Sequence, residues 1–354
     1  MAMATHNWQP RSIDEIRKIR KENTSTYITR GATQFYITAE HVFLIGTPFY
    51  NELESRILLL HDGRAGRALM TKGILSGPYD LLRDFCMPLM QQLAPDVSLH
   101  NLAVEDIVKA KTYRLDIVPD DSGQGVQIVG ADVFYFSPSF HIMPLALSDL
   151  PPSCGTTPFV DGADVFFTPS TPRADTTVKL GAYMLPQGPV LLRDGTTRYF
   201  KHRRGPGFVR EIEILGRLRQ LSRYALGTAR MTELVRSEDT VVGLLIEMIS
   251  PGYTLMSKQA WERPDLCEKW HHQVTETVQI LHSEGIVWGD VNPRNVIIDD
   301  LENAWIIDFA GGNAPVFVDY EKNETVQGDK QGITRLFEEW LPSRRKDVHD
   351  EDFF

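Results

Sequence analysis

Asp290 and Asn295 stand five positions apart in the run Trp288-Gly289-Asp290-Val291-Asn292-Pro293-Arg294-Asn295, and Asp308-Phe309 follows eighteen positions after Asp290. Two carboxylates and a carboxamide on neighbouring loops are parts that phosphoryl transfer requires. One carboxylate can sit beside an attacking hydroxyl, orient it and accept its proton. A second carboxylate, with an amide oxygen, can hold a magnesium ion, because hard cations prefer oxygen ligands. Both loops border short strands, where side chains are free to converge.

The elements that must position these residues are legible on either side. Val296–Ile298 and Ala304–Ile307 read as a strand pair turning at Asp299–Asn303, with Ile286–Val287 as a further short strand. Leu266–His282 has the length and spacing of a helix. Upstream, Val178–Leu180, Val190–Leu192 and Arg198–Phe200 are strand-like runs broken up by Gly181, Gly188 and Gly195. Phe208–Leu221 places Ile212, Leu215, Leu218 and Leu221 on one helical stripe. Val241–Ile249 is a continuous apolar run of the kind a buried strand shows, ending at Pro251-Gly252.

The 354 residues exceed one ordinary domain of ~150, and 42% apolar with 24% charged residues is globular composition. Three regions are expected: an α+β region of unknown role over 1–137, a proline-rich linker over 138–176, and a domain over 177–354 that divides at residue 249. In the first region Ser12 and Glu15 have the form of a capping box, Thr33–Thr38 and His41–Gly46 read as strands, and Tyr79–Leu93 as a helix. Leu53–Leu60 fits either element. Arg114–Val118 and Gly125–Phe136 read as strands paired across Asp120–Gly123. The spacing of Cys86, Cys154 and Cys267 implies neither a disulfide framework nor a zinc site. No run reaches the ~18 apolar residues of a membrane span, and residues 1–10 lack an apolar leader, so a cytoplasmic location is expected. The net charge of −10 argues against a general DNA binder. Residues 201–230 reverse that sign, with eight Lys/Arg against two Glu, and could meet a polyanion such as tRNA.

The run Leu281-His282-Ser283-Glu284-Gly285-Ile286-Val287-Trp288-Gly289-Asp290, with Asn295 and Asp308-Phe309 behind it, resembles the catalytic loop and D-F-G segment of protein kinases. The resemblance implies a bilobal α+β kinase-like fold with a shortened C-terminal lobe, preceded by the additional α+β region. It also implies ATP and Mg2+ as cofactors. Asp290 would be the catalytic base, and Asn295 and Asp308 the metal ligands. Lys201 would grip the α/β-phosphates, held by Glu211, and Glu247, Met248 and Ile249 would form the hinge that meets adenine. Asp329 would brace the catalytic loop, with Trp288 and Phe309 as core beneath Leu215.

Departures from the pattern bear on function. Trp288-Gly289 replaces His-Arg, and Gly289-Asp290 is similar to the form in aminoglycoside and choline phosphotransferases. Asn292 replaces a lysine, Ala310 replaces the glycine of D-F-G, and no A-P-E segment occurs. No G-x-G-x-x-G precedes Lys201; Gly181 and Gly188 are the candidates for a phosphate-covering turn. A fungal group of kinase-like proteins carries similar GIVWGD…N…AWIIDF text. The first reading is therefore an atypical ATP- and magnesium-dependent transferase acting on a small hydroxylated molecule. A second is a kinase-fold enzyme turned to another reaction, such as aminoacyl-tRNA-dependent synthesis of an arginine-containing cyclodipeptide, with tRNA on segment 201–230. A third is a pseudokinase binding module.

Overall fold

The computed structural model describes residues 23–61, 77–95, 102–134, 145–169, 187–202, 207–221, 227–249, 252–312 and 314–344. They fall into two compact units, one from the described residues within 1–102 and 106–141, the other from those within 103–105, 142–171 and 187–354.

The first unit is a four-stranded sheet in the order β1 (Asn23–Arg30), β2 (Thr33–Glu40), β3 (Lys111–Pro119), β4 (Val126–Phe134). β2 and β3 run parallel and the outer pairs antiparallel. Helices Pro48–His61 and Pro78–Leu93 bury Leu53, Leu82, Cys86 and Met90 with Phe35, Ile37 and Leu115 of the sheet. The β3–β4 hairpin turns at Asp120–Gly123 as expected, with Gly123 N–H donating to Asp120 C=O at 3.0 Å. His41–Gly46 is not the expected strand. The β1–β2 ladder ends at Asn23↔Glu40, and a short helix over His41–Leu44 buries its first and last residues on one face. The Ser12–Glu15 capping box and Val178–Leu180 lie outside the described residues.

The second unit has a kinase-like architecture. Its main sheet runs β6 (Phe159–Asp161), β10 (Met231–Ser237), β11 (Thr240–Ile246), β9 (Thr197–His202), β8 (Gly188–Leu192), β7 (Val165–Phe167), with β5 (Leu145–Ala146) also on β11. The described part of the stretch expected as a linker thus supplies β5, β6 and β7. Prolines 151, 152 and 158 fall between β5 and β6, and Pro169 follows β7, where a missing N–H costs no ladder bond. β10 has no counterpart among the expected strands, although Glu238-Asp239 marks the turn into β11, with Glu238 at φ +54°.

Helix Gly207–Gln220 packs Phe208, Ile212, Ile214 and Leu215 into a core shared with Trp270, Val274, Val278 and Leu281 of helix Cys267–Ser283. That second helix ends at Gly285 (φ +67°), whose N–H returns to His282 C=O while Ile286 N–H returns to Leu281 C=O. Ile286–Val287 is not a strand and has no ladder partner among the described residues. A small antiparallel sheet follows, β12 (Tyr253–Thr254), β13 (Val296–Ile298) and β14 (Ala304–Ile306). No helix of the described residues is long and apolar enough to cross a membrane.

Candidate active site

Strand alternation sets the first contribution. In β9, Phe200 and His202 are buried, which leaves Tyr199 and Lys201 lining a cavity of about 590 Å³. Glu211 is buried on the facing helix. Lys201 Nζ lies 2.8 Å from Glu211 Oε1 and 3.0 Å from Asp308 Oδ1, so one ammonium joins the strand, the helix and the Asp308 loop. Burial works against the Lys201 charge, but the two carboxylates outweigh it and its pKa is raised. Burial pushes the Glu211 carboxyl up, and Lys201 offsets that only in part.

The Asp290 loop is built from its own side chains. Asn292 Oδ1 accepts from Arg294 N–H at 3.0 Å and closes the turn Pro293–Asn295. That turn brings Asn295 Nδ2 back to Asp290, 2.8 Å from Oδ2 and 3.0 Å from the main-chain carbonyl. Burial raises the Asp290 pKa, against the donated hydrogen bonds that lower it. From below, Asp329 accepts the N–H groups of Trp288 and Gly289, both at 2.8 Å, and meets His282 Nε2 at 2.8 Å. Thr325 caps the helix that carries Asp329, accepting from Gly328 N–H.

Asp308 sits at φ +63°, a left-handed conformation uncommon for a residue with a Cβ, and Oδ1 accepts from Ala310 N–H at 3.2 Å. Such strain persists where the surrounding structure over-determines it. Trp288 and Phe309 are fully buried in one cluster with Leu215, as expected.

At the outer end of the cavity, Glu247 N–H is taken by Arg230 C=O, and Ile249 C=O by Gly252 N–H. Met248 N–H has no partner among the described residues, and Ile246, Met248, Ile249, Ile297 and Ile307 give the walls an apolar lining. The Glu247 side chain is exposed and lies 3.8 Å from Arg230. Lys201, Glu211, Glu247, Met248, Ile249 and Asp308 therefore line one cavity. Asp290 and Asn295 line a second, of about 510 Å³, with Met256, Phe317 and Trp340, and Arg294 borders both.

The donor types suit a magnesium nucleotide. Asp308 Oδ2 and Asn295 Oδ1 receive no hydrogen bond among the described residues, and both are hard oxygen donors. Among the described residues no group of three or more His, Cys, Asp or Glu could hold a metal alone, so phosphate oxygens would have to complete its coordination. The connection from β7 to β8, which contains Gly181, lies largely outside the described residues.

Several contributors take a role that the sequence does not assign to them. Gly312 is packed so closely that a Cβ there would lie 2.6 to 2.9 Å from the Asp290 carboxylate atoms. Tyr199, Met256, Phe317 and Trp340 are ordinary core candidates until the cavities place them. Five of the eight cations in the basic segment are described. Arg210, Arg217 and Arg219 donate to main-chain carbonyls, Lys201 is ion-paired, and Arg230 lies over the Trp305 ring; Arg203, Arg204 and Arg223 lie outside the described residues.

Sheet order, the Lys201–Glu211–Asp308 grouping and the braced Asp290 loop together define a kinase-like domain. Residues 197–331 match the family model of the protein kinase domain. No curated protein matches the chain.

Proposed function

We propose that this protein is a phosphotransferase that uses ATP and magnesium to phosphorylate a small hydroxylated molecule. The observation that carries this is Lys201, held between Glu211 and Asp308 in an open cavity, with the Asp290–Asn295 pair in the adjoining one. The apolar walls and the Met248 N–H, which has no partner among the described residues, suit a purine base, and Lys201 supplies a cation for its phosphates. A magnesium ion held by Asp308 and Asn295 would neutralise charge on the transferred group.

Asp290 does the proton work. Asn295 occupies Oδ2, which leaves Oδ1 to accept the proton of the acceptor hydroxyl. Its raised pKa brings the carboxylate closer to neutral pH, where a general base is more effective. Gly312 keeps the approach open. The second cavity, with its concave, partly aromatic wall, suits a small acceptor. The Gly289-Asp290 pair, similar to that of aminoglycoside phosphotransferases, supports the same reading.

Thermal unfolding with ATP, with and without magnesium, tests the nucleotide step. At ~100 times its dissociation constant, MgATP should add ~2.7 kcal/mol. Asp290→Ala should keep that stabilisation and lose turnover. No stabilisation by MgATP removes the reading. Stabilisation without turnover across hydroxylated small molecules leaves a nucleotide-binding module.

A further inference from the structure

Arg210 precedes Glu211 on the Gly207–Gln220 helix and points to a different set of partners. Nη2 donates to Val287 C=O at 2.8 Å and Trp288 C=O at 3.4 Å, and Nη1 to Trp288 C=O at 3.3 Å and to Phe309 C=O. Val287 and Trp288 lead into Asp290, and Phe309 follows Asp308. One guanidinium therefore gathers the main chain beside both carboxylates. No carboxylate pairs with it among the described residues.

Two glycines border the guanidinium. Gly289 has φ +80° and Gly311 φ +77°, conformations that favour glycine. A Cβ at Gly289 would lie 2.8 Å from Arg210 Nη2; one at Gly311 would meet the Glu324 carboxylate first and lie 3.3 Å from Arg210 Nη1. A planar fork of five donors can serve several carbonyls at once, which an ammonium cannot match. Gly289 stands where the kinase pattern has an arginine in the loop itself, and here the guanidinium arrives from the helix.

We propose that Arg210 is a positioning residue that fastens the Asp290 loop and the Asp308 loop to the helix bearing Glu211. Its role in turnover rests on the phosphotransferase reading, but the fastening can be measured without nucleotide or acceptor. Amide hydrogen exchange on the full-length protein is the test, with Arg210→Met, Arg210→Lys, Gly289→Ala and the Arg210→Met/Gly289→Ala double variant. Arg210→Met should speed exchange about tenfold or more across both 287–292 and 308–312 while β13 and β14 keep their protection. Arg210→Lys should restore part of that protection. Gly289→Ala should reproduce the loosening, and the double variant should be no worse than Gly289→Ala alone, because both lose the Arg210 contact and share the strain of an alanine at φ +80°. Unchanged protection in either loop, or additive loosening in the double variant, overturns the proposal. If Arg210→Met does not fold, loosening of both loops in Arg210→Lys and Gly289→Ala supports the fastening, and unchanged protection in those two variants overturns it. Failure of MgATP to stabilise the unaltered protein would count against the phosphotransferase reading alone.

Discussion

Replacing Lys201 should cost far more stability than replacing the glutamate it meets. The 2.8 Å separation from Glu211 corresponds to about 6 kcal/mol of attraction at an effective dielectric of ~20, set against several kcal/mol of desolvation per ion. Lys201→Met leaves the Glu211 carboxylate, 2% exposed, and the Asp308 carboxylate facing each other without a cation. Removing one partner of a buried pair costs about 3–5 kcal/mol, and the one-third exposure of Asp308 argues for the lower figure, about 3 kcal/mol. Glu211→Gln leaves Lys201 paired with Asp308 and an amide oxygen still able to accept, so about 1 kcal/mol is expected. The double variant should recover part of the Lys201→Met loss. The pH dependence has a definite sign. Without the ammonium the Glu211 pKa rises further, the folded state binds a proton more readily, and the Lys201→Met deficit should shrink as pH falls. Urea unfolding followed by tryptophan emission is a suitable assay, since Trp261, Trp270, Trp288, Trp305 and Trp340 all lie in the second unit. Equal losses for the two single variants, or strict additivity in the double one, would refute this reasoning.

Other outcomes follow from the same geometry. Asp329→Asn should cost about 3 kcal/mol or more, because one amide oxygen cannot serve two buried N–H groups while its NH2 is turned toward donors; an unfolding midpoint near the unaltered value would disprove it. Asp290→Asn should be more stable than the unaltered protein at neutral pH. The folded Asp290 pKa is raised, so the advantage should be absent below the unfolded value of ~3.9 and fully developed above the folded one. A pH-independent difference in melting temperature would contradict that. Gly312→Ala should keep the MgATP-induced stabilisation and lose more than about tenfold in turnover, because the new methyl displaces the Asp290 carboxylate. Unchanged turnover would show that the carboxylate can shift without consequence.

Much of the second unit was legible from spacing alone. The helices at 207–220 and 267–283 and the strands around Asp299–Asn303 each depend on contacts a few residues apart, and their apolar periodicity records the face they bury. Local too is the Asp290 loop, where Asn292 and Asn295 are held by bonds spanning two and five positions. The short strands within 145–169 were hidden because two or three residues between prolines carry no readable period; their pairing with β8, β10 and β11 depends on residues far along the chain. The His41–Leu44 helix likewise depends on where the neighbouring ladder runs out.

Residue types and order by themselves determined which side chains are available for chemistry: Lys201, Glu211, Asp290, Asn295 and Asp308, in a series that a kinase-like fold can use. Only the tertiary structure decided that Lys201 is shared by two carboxylates, that Arg210 is spent on main-chain carbonyls, and that Gly312 leaves room beside Asp290. A charge in a sequence has no direction. Its meaning is set by which distant oxygen ends up within about 3 Å, and that distance exists only once the core has fixed the backbone.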